Sequence, residues 1–181
     1  MKIFLFLADG FEEIEAIAPI DIFRRAAIDL TTVSIKNELA VTGAHGVTLL
    51  ADALFSEVDF AENDLLFLPG GLPGTTHLDQ HAGLKELIQK QAVEGRKIAA
   101  ICAAPSILGK LGLLQNKEAI CYPGFENLLI DATISDKKIV QSGTVYTAKA
   151  AGVSIQFALK LVEELKGKEI ADKISNQIFL D

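Results

Sequence analysis

Residues 97–108, with the sequence KIAAICAAPSIL, join a short apolar run to a segment whose apolar residues recur at helical spacing. The apolar run is typical of a strand that is buried on both faces, as strands of parallel sheets are. Pro105 suits the first turn of a helix, where its missing backbone N–H leaves no hydrogen bond unmade. The stretch therefore predicts a strand, a sharp turn at Cys102 and a helix behind it.

The same alternation of buried strand and amphipathic helix runs along the whole chain. The spacing predicts strands at 2–8, 30–35, 63–71, 97–102, 118–124 and 138–147, and a short strand or hairpin piece within 46–55. It predicts helices at 11–27, 83–95, 105–114 and 148–167, followed by a short helical tail. Because parallel neighbours in a sheet need helical crossovers, this order predicts an α/β fold with a doubly wound parallel sheet, as a single domain over residues 1–181.

The apolar residues of two helices indicate the faces that they bury. In the helix at 11–27 the recurring apolar positions are Ile14, Ile17, Ala18 and Ile22. In the helix at 83–95 the positions expected to point inward are Leu84, Leu87, Ile88 and Val93. Gly95 is expected to end that helix.

Composition excludes several classes of protein. The chain has 181 residues, of which 50% are hydrophobic and 23% charged, and its formal net charge is −7. Such a chain is globular, and an acidic protein without a basic run is a poor binder of DNA or of an anionic membrane. The first apolar run is too short for a signal peptide, and no run is long enough to span a bilayer. Two cysteines make no disulfide framework, so we expect a reduced, cytoplasmic protein without nucleic-acid or membrane partners.

Three segments with chemically active residues directly follow predicted strands. Residues 9–15 carry several acids, residues 69–74 carry a glycine pair, and residues 102–105 begin with a cysteine. In an open parallel sheet the carboxyl ends of the strands line the crevice that binds ligands. The order of the chain therefore predicts that acids, glycines and a thiol meet at one edge of the sheet.

Cys102 has the sequence context of a reactive thiol. Ala103 and Ala104 allow a sharp strand-to-helix turn, like the nucleophile elbow of hydrolases. The free N–H groups and the positive dipole end of the helix favour the thiolate, so we expect a lowered thiol pKa and ionisation at a lower pH than Cys121. The competing interpretation of Cys102 is a small buried hydrophobic residue. Cys121 lies in a strand-like pattern without a turn, which favours core packing.

Glu15 is the candidate acid. It shares a helix face with Ala18 and Ile22 and is therefore expected to point inward. Pro19, four residues later, opens the helical turn beside it. A partly buried glutamate near Cys102 tends to be protonated, so it can donate a hydrogen bond to the sulfur or act as a general acid/base.

The glycine pair is the candidate source of backbone donors. The N–H groups of Gly70 and Gly71 can face a developing oxyanion. The plainer interpretation is a turn in which Thr75 or Thr76 caps a short helix. The segment lacks the residues of a phosphate loop and the glycine spacing of a dinucleotide site, so no cofactor is expected.

The remaining acids and histidines have plainer interpretations. Glu12 and Glu13 are expected to be solvated acids that compensate the helix dipole. His77 and His81 are expected at the surface, since no third ligand accompanies them, and we expect no metal. His45 lies in a predicted turn, where it would lean over the crevice or enter a subunit contact.

Three motifs stand in an order and spacing that resemble the ThiJ/PfpI superfamily: GFEEIEAIAPIDIFRRA at 10–26, LLFLPGGLPG at 65–74 and AAICAAPSIL at 99–108. The resemblance covers the whole chain and looks closest to the branch of the parkinsonism-linked protein deglycase and its glyoxalase III-like relatives. It implies a flavodoxin-like sandwich and a homodimer.

The resemblance also implies roles for individual residues. Cys102 matches the family's readily oxidised cysteine, and Glu15 matches the protonated glutamate that contacts it. Gly70 and Gly71 match the glycine pair that faces the thiol. Ala103 offers a further backbone N–H.

The chain departs from the family's patterns at two positions. Ala103 stands where the protease branch has a histidine beside the cysteine, so a protease is not expected. Tyr122 stands where several glyoxalase-active members have a histidine. His45 lies in a loop where some members carry an arginine and others this histidine. Tyr122 and His45 are therefore candidate pocket residues only.

Two functions are compatible with the resemblance, and the sequence does not separate them. In the first, Cys102 is the nucleophile of a cofactor-free enzyme that acts on small α-oxoaldehydes or their adducts, as a glyoxalase or deglycase. In the second, Cys102 is the sensor of a redox-regulated protein or chaperone without catalytic turnover.

Overall fold

Alternating strands and helices build one central sheet with helices on both faces in the computed structural model, which describes residues 1–180. In chain order, strands β1 to β11 are Lys2–Leu7, Asp29–Ser34, Ala40–Thr42, Thr48–Leu50, Ala53–Leu54, Leu65–Leu68, Lys97–Ile101, Glu118–Ala119, Thr133–Ile134, Ile139–Ser142 and Val145–Ala148. Helices α1 to α6 are Glu13–Arg25, Gly74–Gln80, Ala82–Val93, Pro105–Lys110, Ser154–Lys166 and Lys168–Gln177. Short 3₁₀ turns occupy Phe55–Glu57, Glu126–Leu128 and Ala151–Val153. Among residues 1–180, no helix combines the length and the apolar character needed to cross a membrane.

The central sheet has seven strands in the order β10–β11–β7–β6–β1–β2–β5. Neighbouring strands are parallel except β10 and β11, which form an antiparallel hairpin at one edge. The strands β2–β1–β6–β7–β11 repeat the flavodoxin-like order, in which the direction of winding reverses beside β1. The predicted flavodoxin-like, doubly wound parallel sheet is confirmed.

The first strand shows why the central strands are apolar along their whole length. Ile3, Leu5 and Leu7 face the core layer under α1 and α5, whereas Phe4 and Phe6 face the opposite layer under α3 and α4. All five side chains are at most 1% exposed. Since alternate side chains of a strand point to opposite faces, a strand covered on both sides needs a continuous apolar run.

Helix α1 buries a different stripe from the predicted one. Its buried residues are Glu13, Glu15, Ala16, Pro19, Ile22 and Phe23. Ile14 and Ile17 are 55% and 39% exposed, so the prediction that both join Ile22 in the core is wrong. Because α1 packs on the sheet beside α5, the stripe that follows the 15–19–22 spacing turns inward and its neighbours are left at the flank.

Helix α3 confirms three of the four predicted inward positions. Leu84, Leu87 and Ile88 are buried, but Val93 is 89% exposed. At about 100° per residue, Val93 lies half a turn away from the face of Leu84, whereas Gln91 returns to that face. Gln91 is fully buried, and its Nε2 donates to the carbonyl of Lys97 at 3.0 Å, which supplies part of the hydrogen bonding that a buried amide needs.

Several predicted elements are shorter in the structure. The helix expected at 105–114 is α4, which ends before Gly112 takes a φ of 75°. The strand expected at 118–124 is β8, which has two residues, so Cys121 lies just beyond a strand rather than inside one. Helix α5 also begins later than expected, at Ser154, after a 3₁₀ turn.

Two predicted stretches form hairpins. The stretch at 138–147 was expected as one strand, but Gly143 adopts a φ of 65° and turns the chain between β10 and β11. The stretch at 46–55 contains β4, which pairs with β3, and β5, which joins the edge of the central sheet. The expected strand or hairpin piece is therefore present.

Candidate active site

The carboxyl ends of β1, β6 and β7 bring the three predicted segments together. The backbone N–H of Glu12 donates to the carbonyl of Gly70 at 3.0 Å, which joins the segment after β1 to the segment after β6. A Cβ atom built on Gly70 would lie 2.7 Å from Cβ of Cys102, so the segment after β7 lies against the same glycine. This meeting point is next to the reversal of winding at β1, where crevices form in such sheets.

Cys102 occupies a sharp turn between β7 and α4. Its φ is 64°, a left-handed conformation that costs about 1–2 kcal/mol for a residue with a Cβ atom. Two backbone hydrogen bonds hold the turn: the N–H of Cys102 donates to the carbonyl of Ala148 at 2.9 Å, and its carbonyl accepts from the N–H of Tyr122 at 2.7 Å. Strain of this kind is concentrated at functional sites. The turn presents a half-buried thiol at the edge of the sheet.

Gly70 separates the thiol from the acid. A Cβ atom at this position would lie 2.5 Å from Oε2 of Glu15 and 2.7 Å from Cβ of Cys102. Both distances are well below van der Waals contact, so a side chain here would displace one of the two groups. Glycine is therefore the residue that lets the carboxyl group and the thiol approach the same peptide.

Glu15 is fully buried, at the inward position that its spacing predicts. Its Oε2 accepts a hydrogen bond from the N–H of Gly70 at 2.9 Å, whereas no donor in the described part of the chain reaches Oε1. Burial, with a smaller contribution from the charge of Glu12, raises the pKa of Glu15 to about 7, against the opposing effects of the neighbouring Cys102 thiol and of the N–H of Gly70. Glu15 therefore keeps a proton throughout the acidic range.

The thiol of Cys102 does not have the lowered pKa that its position at a helix start predicts. Burial and, after it, the neighbouring Glu15 carboxylate together raise the pKa of Cys102 to about 12, although the N–H groups of Ala103 and Gly71 favour the thiolate. Burial also raises the pKa of Cys121, to about 11. The expected lowering is therefore wrong, because a helix start does not compensate for a desolvated site shared with an acid. Cys102 and Glu15 lose their protons as a coupled pair.

The two glycine N–H groups have different partners. The N–H of Gly70 is bound by Glu15, whereas the N–H groups of Gly71 and Ala103 lie where they favour negative charge on sulfur. The prediction that Gly70 and Gly71 together form the oxyanion donors is therefore wrong for Gly70. The donors that remain beside the sulfur are Gly71 and Ala103.

His45 binds Glu13. Its backbone N–H donates to Oε1 of Glu13 at 2.6 Å, and its ring Nδ1 lies 2.7 Å from Oε2. Glu13 is only 7% exposed, so the prediction of a solvated acid is wrong. Burial opposes ionisation of Glu13, but the hydrogen bonds from His45 hold its pKa below the usual value. The sequence feature that could have indicated this contact is Gly43, in the turn before His45. Only glycine leaves room for the acid there, because a Cβ atom on Gly43 would lie 2.5 Å from the carboxyl carbon of Glu13.

Tyr122 flanks the cysteine turn. Its backbone N–H is the group that binds the carbonyl of Cys102, and its side chain is 47% exposed. The backbone of Tyr122 therefore lies beside the elbow, at the position that the resemblance matches to a histidine of several glyoxalase-active members. Its part in a pocket stays a prediction.

The other two histidines hold the backbone of neighbouring elements. Ring Nδ1 of His77 lies 2.9 Å from the carbonyl of Asp9. Ring Nδ1 of His81 accepts from the N–H of Leu84 at 3.0 Å and caps the start of α3. Both side chains are half-buried, so the expectation of surface histidines is wrong.

One trio of potential metal ligands occurs among residues 1–180, formed by Glu12, Glu13 and His45, with ligand atoms within 4.8 Å of one another. All three are engaged within the chain. Glu13 binds His45, and Oε2 of Glu12 accepts from the N–H of Glu15 at 2.8 Å. In this structure the trio forms a helix cap and an ion pair.

Comparison with known proteins assigns the chain to a family. Residues 1–164 match the model of the DJ-1/PfpI family. DJ-1 homolog B of Arabidopsis thaliana is 38% identical over 181 residues, which are 99% of this chain and 41% of that protein, so this chain spans less than half the length of that relative. A deglycase of Pyrococcus abyssi is 31% identical over 169 residues, 92% of this chain and 100% of that protein.

A solved structure shows the same fold over nearly the whole chain. Oxidized DJ-1 of Toxoplasma gondii superimposes with a TM-score of 0.94 at 35% identity, and the match covers 98% of this chain and 97% of that one. Sequence motifs, sheet order and these matches agree. The chain belongs to the DJ-1/PfpI family.

Proposed function

We propose that the protein is a cysteine-dependent, cofactor-free enzyme that acts on small reactive α-oxoaldehydes or their adducts, as a glyoxalase or deglycase does. The observation that carries this proposal is the fully buried carboxyl group of Glu15 beside the half-buried thiol of Cys102 in a strained turn. A nucleophile and a proton carrier are the two groups that isomerisation of an oxoaldehyde requires. The deglycase relative from Pyrococcus abyssi supports the same class of substrate.

Burial leaves the pKa of Cys102 well above that of Glu15, so the pair loses its first proton from Glu15. In the proposed reactive state, the remaining proton has moved from the sulfur to Glu15. Oε1 carries it and donates it to the sulfur of Cys102, since Oε1 receives no other hydrogen bond and Oε2 already accepts from Gly70. The thiolate then faces this O–H and the N–H groups of Gly71 and Ala103. Three donors offset the cost of a buried negative charge.

Methylglyoxal illustrates the proposed reaction. The sulfur of Cys102 attacks the aldehyde carbon, a C–S bond replaces the carbonyl π bond, and the oxygen takes the proton of Glu15. The product is a hemithioacetal beside a glutamate carboxylate. This carboxylate removes the hydrogen from the sulfur-bearing carbon and returns it to the neighbouring carbon, while the hydroxyl proton passes to the adjacent oxygen. Water cleaves the resulting thioester, which releases lactate and restores the thiol.

Lactate release tests this proposal directly. Purified protein in methylglyoxal without glutathione should form lactate over many turnovers. Cys102→Ser should abolish turnover because it removes the nucleophile, and Cys121→Ser should retain it. A parent protein without turnover, or a Cys102→Ser variant as fast as the parent, would overturn the enzyme proposal.

A second function is favoured by a different observation. The Toxoplasma gondii relative was solved in an oxidized form, and Cys102 is accessible whereas Cys121 is 1% exposed. In this alternative the protein is a redox sensor or chaperone without turnover. Two molecules of peroxide oxidise the thiolate of Cys102 to a sulfinate and are reduced to water, and Glu15 donates a hydrogen bond to a sulfinate oxygen. Mass spectrometry showing two oxygen atoms on Cys102, together with no lactate release, would favour the sensor.

We also propose that the protein is a homodimer whose second copy covers an apolar patch on α1 and the β3–β4 hairpin. The patch contains Ile14, Ile17, Val47 and Leu50, which are 55%, 39%, 45% and 77% exposed. Ile17 and Leu50 line the same groove between helix and hairpin, and contiguous exposed apolar surface of this kind marks interfaces.

Light scattering tests the dimer. The parent should have twice the mass of one chain, and Ile17→Glu should yield a monomer. Val93→Glu is the matched control, because Val93 is 89% exposed on α3 and lies outside the patch. A monomeric parent, or a dimer unaffected by Ile17→Glu, would contradict the proposal.

A further inference from the structure

We infer that Glu12 is a positioning residue for the proposed acid: it holds the carboxyl group of Glu15 against the thiol through a closed ring of three hydrogen bonds that includes the peptide of Gly70. The N–H of Glu12 donates to the carbonyl of Gly70 at 3.0 Å. The N–H of Gly70 donates to Oε2 of Glu15 at 2.9 Å. The N–H of Glu15 donates to Oε2 of Glu12 at 2.8 Å and closes the ring. The effect of Glu12 on turnover rests on the proposed function.

The ring resembles a helix capping box into which one additional peptide, that of Gly70, is inserted. Glu12 is the N-cap of α1, and Glu15 is the third helical residue. In a usual capping box the side chain of the third residue bonds back to the N–H of the N-cap. Here the Gly70 peptide lies between them, because its carbonyl accepts from the N-cap and its N–H donates to the Glu15 side chain. The carboxyl group is thereby held at Gly70, which is also in contact with Cys102.

A glutamate at this N-cap has an electrostatic consequence. Ser, Thr, Asp and Asn are the usual N-cap residues, and a serine would complete the same backbone bond without a charge. The groups that face Glu15 are the carboxylate of Glu12, the thiol of Cys102 and the backbone N–H groups of Gly70 and Ala151. Glu12 contributes a like charge, which opposes ionisation of Glu15. The same side chain therefore fixes the carboxyl group in place and favours its protonated form.

Two substitutions separate these effects. Glu12→Gln keeps an oxygen that accepts the backbone hydrogen bond but removes the charge, whereas Glu12→Ala removes both. Glu13→Gln is the matched control, because it removes a charge from the same turn and its side chain binds His45 instead of the ring. Each variant is made in a Cys121→Ser background. The two readouts are the rate of Cys102 alkylation by iodoacetamide against pH, and kcat for methylglyoxal.

Glu12→Gln and Glu12→Ala should differ in kcat, but both should shift the pH profile of Cys102 alkylation to lower pH. In Glu12→Gln the step in the alkylation profile should move down by about half to one pH unit, because a like charge is lost from the vicinity of Glu15. Its kcat should stay close to that of the parent at the new optimum. In Glu12→Ala kcat should fall by about 10- to 100-fold, as it does when a reacting group is misplaced. Glu13→Gln should leave both readouts unchanged.

Two results would overturn the inference. One is a parent-like kcat in Glu12→Ala, and the other is an alkylation profile in Glu12→Gln that coincides with the profile of Glu13→Gln. Alkylation needs no turnover, so a parent that releases no lactate would refute the proposed function while the profiles still decide the role of Glu12. If Glu12→Ala fails to fold, Glu12→Gly takes its place, because glycine removes the same acceptor and charge and is well tolerated at an N-cap.

Discussion

The two cysteines of this chain both lie in desolvated surroundings, but only Cys102 shares its site with a buried carboxyl group, that of Glu15. Burial raises the pKa of Cys102 to about 12 and that of Cys121 to about 11. Cys121 packs in the core layer under α3 and α4, whereas Cys102 packs against the opposite layer at the sheet edge. The carboxyl group of Glu15 lies beside Cys102 and raises its pKa, whereas the acid that raises the pKa of Cys121 is Glu126, which acts through its charge.

The difference shows that the pKa of a single thiol does not identify the reactive cysteine in this fold. Both thiols are held neutral by burial when each is taken alone. Cys102 differs because a carboxyl group with a pKa of about 7 can exchange a proton with it. Reactivity is therefore a property of the pair, and experiments that alter the pair should make the two cysteines more alike or more distinct.

The largest effect is expected from removing the exchangeable proton. Glu15→Gln keeps a donor toward the sulfur but cannot shuttle a proton, so lactate formation from methylglyoxal should fall by about 10²- to 10⁴-fold, the usual contribution of general acid/base catalysis. Glu126→Gln, which removes the acid near Cys121, is the control and should keep the parent rate. Steady-state assays decide the matter, and a parent-like rate in Glu15→Gln would make Glu15 a structural neighbour only.

The second effect is on the pH dependence of the free energy of unfolding. The pKa of Glu15 rises from 4.5 to about 7 on folding, so between these values the folded chain binds more protons than the unfolded chain. The stability gained from this group is present below pH 4.5 and is lost as the pH rises toward 7. Between about pH 5 and about pH 8 the free energy of unfolding should therefore fall by about 2–3 kcal/mol more in the parent than in the Glu15→Gln variant. Urea titrations measure the free energy of unfolding, and identical pH dependence in both proteins would contradict the raised pKa.

A smaller effect concerns stability: the difference between a glycine and an alanine variant should have opposite signs at the two cysteine positions. Cys102 has a φ of 64°, where glycine is more stable than alanine by about 1 kcal/mol, whereas Cys121 is not among the residues with positive φ. Cys102→Gly should therefore be more stable than Cys102→Ala. Cys121→Gly should be less stable than Cys121→Ala, by about 0.5–1 kcal/mol. Denaturation of the four variants tests this, and the same sign at both positions would argue against the left-handed turn.

The smallest effect is expected at Tyr122. Replacing this exposed residue with histidine supplies a second titratable group beside the elbow, so Tyr122→His should raise the rate on methylglyoxal by less than about tenfold. The alkylation profile of Cys102 should not change. Tyr122→Phe is the control for loss of the phenol alone. An unchanged or lower rate with an intact fold would mean that Glu15 suffices or that Tyr122 lies outside the pocket.

The architecture and the two central residues of the candidate site could be predicted from local patterns. Strands covered on both faces need continuous apolar runs, which marked β1, β6 and β7 in the sequence. Pro105 and Gly167 marked the start of one helix and the end of another. Cys102 and Glu15 were found because a strand–turn–helix junction and a helical face are encoded by neighbouring residues.

The sequence by itself thus determined the order of strands and helices, the position of the thiol and the inward direction of the acid, since periodicity and turn chemistry act over a few residues. Only the tertiary structure decided which hydrogen-bond donors lie next to the thiol and the buried carboxyl groups. The N–H of Gly70 goes to Glu15 instead of the sulfur, and Glu13 is buried under the turn of His45. It also decided that the thiol pKa is raised. The physical reason is that hydrogen-bond partners and desolvation come from segments far apart in the chain, which meet only when the sheet is assembled.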